Sequence, residues 1–181
     1  YADNLVHAVP ILLKHGVSAT FFISTGFLDG GRMWNDTIIE SLRRTEVPIL
    51  DCECLGLGLL SIGTTTEKRM ALHKLIAAIK HLPSSKRSDA VARVADSCYA
   101  TLPSDLMLTS GQLWALRQTG MGIGAHTVSH PILARTDDAS ALREIEESRE
   151  FLQGILAERV GLFAYPNGKA GQDYLAKHVD M

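Results

Sequence analysis

No stretch of the 181 residues approaches about 18 consecutive apolar positions, so no transmembrane helix is expected. Charge of one sign is not in excess either. Lys and Arg number 18 against 20 Asp and Glu, a net charge of −2 with no basic stripe, which excludes an electrostatic footprint for nucleic acid. Cysteine is scarce: Cys52, Cys54 and Cys98 form an odd set without a Cys-x-x-Cys. That argues against a disulfide framework and favours a reducing, cytoplasmic compartment, with periplasmic or secreted locations as the alternative. The lone Cys-x-Cys at positions 52 and 54 lacks partner cysteines and reads as packing or chance rather than a metal site. Internal repeats and low-complexity segments are missing. No secretory leader is present, although the sequence opens on Tyr1 rather than Met, and an excerpt of a longer chain is expected. What is present is ordinary for a single globular domain with a core: 46% hydrophobic and 21% charged residues.

Taken in order, Asp3 is placed to cap a helix running to about His15, with Leu5, Val6, Val9, Leu12 and Leu13 on one apolar face. Pro10 is expected to bend it and Gly16 to end it. Val17–Ile23 is a nearly continuous β-branched and aromatic run, the pattern of a strand buried on both faces. A glycine-rich loop and a helix over Trp34–Arg44 follow. Between Val47 and Gly63 the leucines and glycines are compatible with a small hairpin. Two helices are expected beyond it, at about 67–81 and 85–100, and Val47–Pro103 reads as a mostly helical insertion in a single 1–181 domain. Thr109 and Gln112 form a capping box for the next helix, which Gly120 closes. Asp137 or Asp138 caps a long helix to about Glu158, whose Glu144, Glu146 and Glu147 read as a solvated face. Val160–Tyr165 is a further buried-type strand. Helix and strand alternate as in an α/β fold.

Two strand ends carry unusual residues. After Met121-Gly122-Ile123-Gly124 come His126 and His130, four residues apart and followed by Pro131. In one helical turn that spacing brings Cβ atoms to roughly 5–6 Å, close enough for two imidazoles to share one cation. The bland reading is two polar residues in a surface loop. After Val160–Tyr165 comes Pro166-Asn167-Gly168, which taken alone is a turn signal. Ligands of parallel α/β sheets and barrels bind at the C-terminal ends of strands, so the two clusters are expected to face one cleft. His7, His15, His73 and His81 fall on helices at surface-compatible positions and need no function.

His126-Thr127-Val128-Ser129-His130 resembles the His-Ser/Thr-x-x-His metal motif of the polysaccharide deacetylase family, metal-dependent carbohydrate esterases that include chitooligosaccharide deacetylases. Phe163-Ala164-Tyr165-Pro166-Asn167-Gly168 resembles the family's third motif. The Leu12-Leu13-Lys14-His15-Gly16 helix end and Ala19-Thr20-Phe21-Phe22 resemble its early region. The resemblance implies a distorted (β/α) barrel, incomplete in this chain. It implies a divalent metal, most simply zinc, on His126 and His130, and an N-acetylated carbohydrate substrate against Tyr165 and Pro166. It also implies a backbone N–H at Asn167 stabilising an oxyanion. Thr127 is placed either to orient the metal loop or to close a simple turn.

Three departures stand out. The family's Asp-Asp-Gly segment, source of a base and a third ligand, falls before Tyr1. Ala164 occupies a place often held by Arg. The late motifs with a histidine general acid fall beyond Met181, and His178 lies too near the third motif for that role. The chemistry implied is hydrolysis of N-acetyl groups on amino sugars, and residues 1–181 alone are expected to be a poor catalyst. The alternative is a catalytically inactive carbohydrate-binding or scaffold domain of the same fold. A zinc peptidase is a third reading, weakened because Thr127 stands where His-Glu-x-x-His requires Glu.

Overall fold

The computed structural model describes residues 1–181, the side chain of Ser84 excepted. Two compact units are present, Tyr1–Gly31 with Asp105–Met181, and Arg32–Ser104.

In the first unit a π-helical turn, Asn4–Ala8, passes into α1, Val9–Lys14. Asp3 is not the expected cap: its own backbone is helical and its side chain makes no capping bond. The change of winding falls just ahead of Pro10, in the first turn of α1, where a missing N–H is tolerated. Val6 and Leu13, expected on the apolar face, are exposed instead. Gly16 ends the helix as expected. At φ +63° its N–H donates to Leu13 O while the Val17 N–H donates to Leu12 O, which satisfies two terminal carbonyls.

Strand β1, Thr20–Ile23, pairs in parallel with β4, Gly122–Ala125, setting Phe21 beside Ile123 and Ile23 beside Ala125. Helix α5, Ser110–Gln118, opens on the full Thr109/Gln112 capping box, and α6, Asp138–Leu156, opens on Asp137, whose carboxylate accepts from the Ser140 N–H. Ile23, Ile123 and Ala125 join Leu113, Leu116 and Leu152 in one buried cluster, so the helices cover one face of the sheet. The other face is open. Phe22, in the strand expected to be buried on both sides, is 40% exposed, and Leu162 is 54% exposed. Between them only glycine fits, because a Cβ on Gly124 would lie 2.4 Å from the Phe22 ring.

The strand expected over Val160–Tyr165 reduces to one parallel bridge between Phe163 and Ala125. At one end the Val160 N–H turns back to Gln153 Oε1, and at the other Tyr165 stacks on Tyr174, so the ladder has no room to extend. The architecture is mixed α/β, and among the described residues no closed sheet occurs.

The second unit holds α2, Trp34–Arg44, at its expected bounds. The expected hairpin follows as β2, Ile49–Asp51, paired antiparallel with β3, Leu59–Ser61. Then come α3, Thr65–Ile79, capped by Thr64 and Glu67, and α4, Ser84–Cys98. The unit starts ahead of Val47, because Ile38 and Leu42 of α2 are buried among residues of the hairpin, α3 and α4. Cys52 and Cys98 are buried free thiols. Burial, then the nearby Cys54 and Asp51, push the Cys52 thiol up to about 11. Metal ligation needs the thiolate, so this environment suits packing. Among the described residues no helix is long and apolar enough to cross a membrane.

Candidate functional site

Where β4 ends, His126 continues its pairing by donating its N–H to Ile23 O at 3.0 Å. The next residues do not form the expected helical turn. Thr127 and His130 both take left-handed backbone, φ +65° and +56°, and the segment folds into a compact loop. The rings meet all the same, with centroids 4.7 Å apart and planes at 72°.

Thr127 builds this loop. Fully buried, it donates Oγ1–H to His126 O at 2.5 Å and accepts the His130 N–H at 3.1 Å. A β-branched residue at positive φ is unfavourable unless its surroundings hold it there. Here the Thr25 N–H donates to Thr127 O and the Gly26 N–H to Val128 O. The second bond needs glycine, since a Cβ on Gly26 would stand 2.8 Å from Val128 O. Ser24 Oγ donates to His126 O as well, at 2.8 Å.

His126 Nδ1 lies 2.7 Å from Ala164 O. A carbonyl only accepts, so Nδ1 carries the proton and Nε2 keeps its lone pair. Burial lowers the His126 pKa below its ordinary value, opposed in part by the Ala164 carbonyl, so the ring is neutral near pH 7. A neutral imidazole oriented through Nδ1 is the usual form of a metal-ligating histidine. Among the described residues no group of three or more His, Cys, Asp or Glu side chains gathers around a common point.

The third motif is joined to the histidines through the Ala164 backbone and not through a side chain. Beyond it, Tyr165 is half-buried, stacked on Tyr174 with centroids 4.0 Å apart, and its hydroxyl donates to His178 O at 3.0 Å. The hydroxyl proton is thereby committed, leaving the oxygen as an acceptor and the ring for other contacts. Pro166 is buried, whereas Asn167 is exposed at φ +63° in the turn. A cavity of about 480 Å³ in the same unit is lined by Phe163, Tyr165 and His178 but by neither His126 nor His130.

The model of the polysaccharide deacetylase family matches residues 85–181, more than half of the chain. The chain belongs to the polysaccharide deacetylase family. The match contains the histidine loop and the third motif and begins inside α4, so the early region resembling the family, near Ala19–Phe22, lies outside it. In three dimensions the chain is similar to a Streptococcus pyogenes deacetylase, PplD, solved in complex with acetate. The TM-score is 0.52 at 18% identity, covering 98% of this chain and 45% of that one. The chain thus spans less than half the length of that deacetylase. No curated protein gives a significant match.

In this family member Glu144, expected on a solvated face, instead accepts the Val128 and Ser129 N–H groups on its carboxylate, both at 2.8 Å. A usable signal existed: Glu144 stands three residues after Ala141 and four before Ser148, along the buried stripe of α6. His178, left without a role, is buried. Its Nδ1 accepts the Leu175 N–H, and its Nε2 has no hydrogen-bond partner.

A pH dependence follows from His178. Burial, then Lys177, lowers its pKa, with Asp138 opposing, so the unfolded chain binds a proton more readily than the fold does. Stability from the neutral ring is complete above the unfolded value of about 6.5 and is lost as pH falls through the lower folded value. The metal-free melting temperature is expected to drop between about pH 7 and pH 5. His178→Gln should flatten that drop without abolishing it, because His126 is also kept neutral by burial. An unchanged slope in the variant would refute the assignment.

Proposed function

We propose that this chain forms part of a metal-dependent hydrolase that removes N-acetyl groups from amino sugars of a polysaccharide or oligosaccharide. The observation that carries the reading is His126, oriented through Nδ1 by the Ala164 carbonyl and kept neutral by burial, with the His130 ring 4.7 Å away at the end of β4. This donor set fits a divalent cation, most simply zinc, with His126 and His130 as two of its ligands. Such a cation supplies Lewis-acid polarisation of an amide carbonyl and a bound water of lowered pKa.

The chain's own residues do the rest. Thr127 and Gly26 hold the loop, and Ala164 fixes the ring of His126. Asn167, exposed in its turn, offers a backbone N–H for charge building on the acetyl oxygen. Tyr165 offers its half-buried ring to the sugar, with Pro166 buried behind it in the turn. Overall, water is consumed and the C–N bond breaks, releasing acetate and leaving an amine.

The sheet is read as part of a distorted (β/α) barrel. Its support is the open apolar face of Phe22 and Leu162, which would point into the barrel interior while the helices cover the other side. The second reading, a carbohydrate-binding domain without chemistry, is favoured by Ala164, which stands in the third motif at the place often held by Arg.

The test is acetate release from an N-acetylglucosamine oligomer by the native full-length protein and its His126→Ala variant. Metal polarisation contributes several kcal/mol to such reactions, so the variant should be slower by roughly 10²-fold or more. Oligomer binding with no acetate release by the unmodified protein would establish the second reading instead.

A further inference from the structure

Glu146 and Glu147 of α6 behave as solvated side chains: Glu147 is exposed, and Glu146 makes a loose pair with Arg149 at 3.9 Å. Glu144 does not belong with them. One of its oxygens, Oε2, accepts two successive backbone N–H groups, from Val128 and Ser129, each at 2.8 Å. The other, Oε1, accepts the Ser129 hydroxyl at 2.5 Å. Successive amides converging on one oxygen make an anion-binding nest, a geometry that turns with a left-handed residue provide. Thr127 at φ +65° is that residue. Its strained backbone therefore has a use: it turns the next two amides toward α6.

Only three residues separate His126 from His130, and each is tied. Thr127 is fixed by its hydroxyl to the His126 carbonyl and the His130 N–H, and Val128 and Ser129 are fixed by Glu144. Charge-assisted bonds of this kind are roughly twice as strong as neutral ones. From these contacts we infer that Glu144 is a positioning residue of the centre, setting the separation of the two imidazoles before a cation arrives. Resting on the metal reading above, this assigns to α6, through one carboxylate, control over affinity at a site it does not touch. The carboxylate faces only main-chain amides and the Ser129 hydroxyl among its hydrogen-bond partners, so it acts through the loop and not as a ligand.

The experiment is zinc titration against a chromophoric chelator in the native full-length protein, for wild type, Glu144→Ala, Glu144→Gln and Leu152→Ala. Loss of an outer partner typically weakens metal binding by about 10–100-fold, which is the expectation for Glu144→Ala. Glutamine can place its amide oxygen where Oε2 sits and keep both main-chain bonds, so Glu144→Gln should stay close to wild type. Leu152 is fully buried on the same helix and its side chain makes none of these hydrogen bonds, so Leu152→Ala should lower the melting temperature and leave zinc affinity of the folded protein unchanged. Wild-type affinity in Glu144→Ala, or equal weakening in Glu144→Ala and Leu152→Ala, overturns the inference. Should the wild type bind no zinc, the metal reading fails. Glu144 is then judged on the 15N signals of the His126 and His130 rings, which must move in Glu144→Ala, and unmoved signals overturn it.

Discussion

Replacing His126 and His130 together by alanine is expected to reduce divalent metal in the purified full-length protein to background. The expectation rests on geometry. The rings lie 4.7 Å apart on a loop whose every intervening residue is hydrogen-bonded, so the pair is organised ahead of any ligand. Imidazole suits cobalt and nickel as well as zinc, so the measurement covers all three metals. The substitutions remove no buried anchor, since both side chains are only half-buried. Circular dichroism should therefore match wild type while elemental analysis does not. Equal metal content in the two proteins would remove the basis of the hydrolase reading.

The second large effect concerns the support beneath the site. Leu116 is fully buried on α5, in the cluster that holds Ile23, Ile123 and Ala125. Ile23 and Ala125 end the two strands, and the Ile23 carbonyl receives the His126 N–H directly. Truncating a leucine in such a place costs about 2–5 kcal/mol, part transfer and part cavity. Leu116→Ala should lower unfolding free energy by that amount in a denaturant titration, with the slope unchanged. A loss below about 0.5 kcal/mol, the ordinary scale of a surface substitution, would show that this helix is not part of the core.

Much of this arrangement was legible beforehand wherever local chemistry decided the outcome. Trp34–Arg44 formed at its expected bounds, and the Thr109/Gln112 box, the Asp137 cap and the Gly16 stop are properties of a few adjacent residues. The two histidines were recognisable by spacing, but the reason given for their closeness was not the operative one. A helical turn was expected, and two left-handed residues around a buried threonine do the work instead. Glu144 was misread because helical periodicity places it along the buried stripe of α6 but does not report its partners, which lie 15 and 16 residues away in another segment. The Val160–Tyr165 strand was over-read for a related reason. Apolar composition favours extension, yet pairing length is set by where Gln153 and Tyr174 capture the two ends. The unit Arg32–Ser104 begins earlier than the Val47 reading because Ile38 and Leu42 pack with residues far ahead of them in the chain.

The bond from His126 Nδ1 to the Ala164 carbonyl has a further meaning for how this site tolerates mutation. Its acceptor is main chain, and every amino acid carries one. Substituting Ala164 by any residue that keeps the local path leaves the acceptor in place, so the position should look permissive in a library although it adjoins the site. Proline alone would differ at once, because the Ala164 N–H donates to Ala125 O at 3.0 Å and proline has none. The aim of the imidazole is thus encoded in the trajectory of the chain, spread over many residues, and no single letter of the sequence records it.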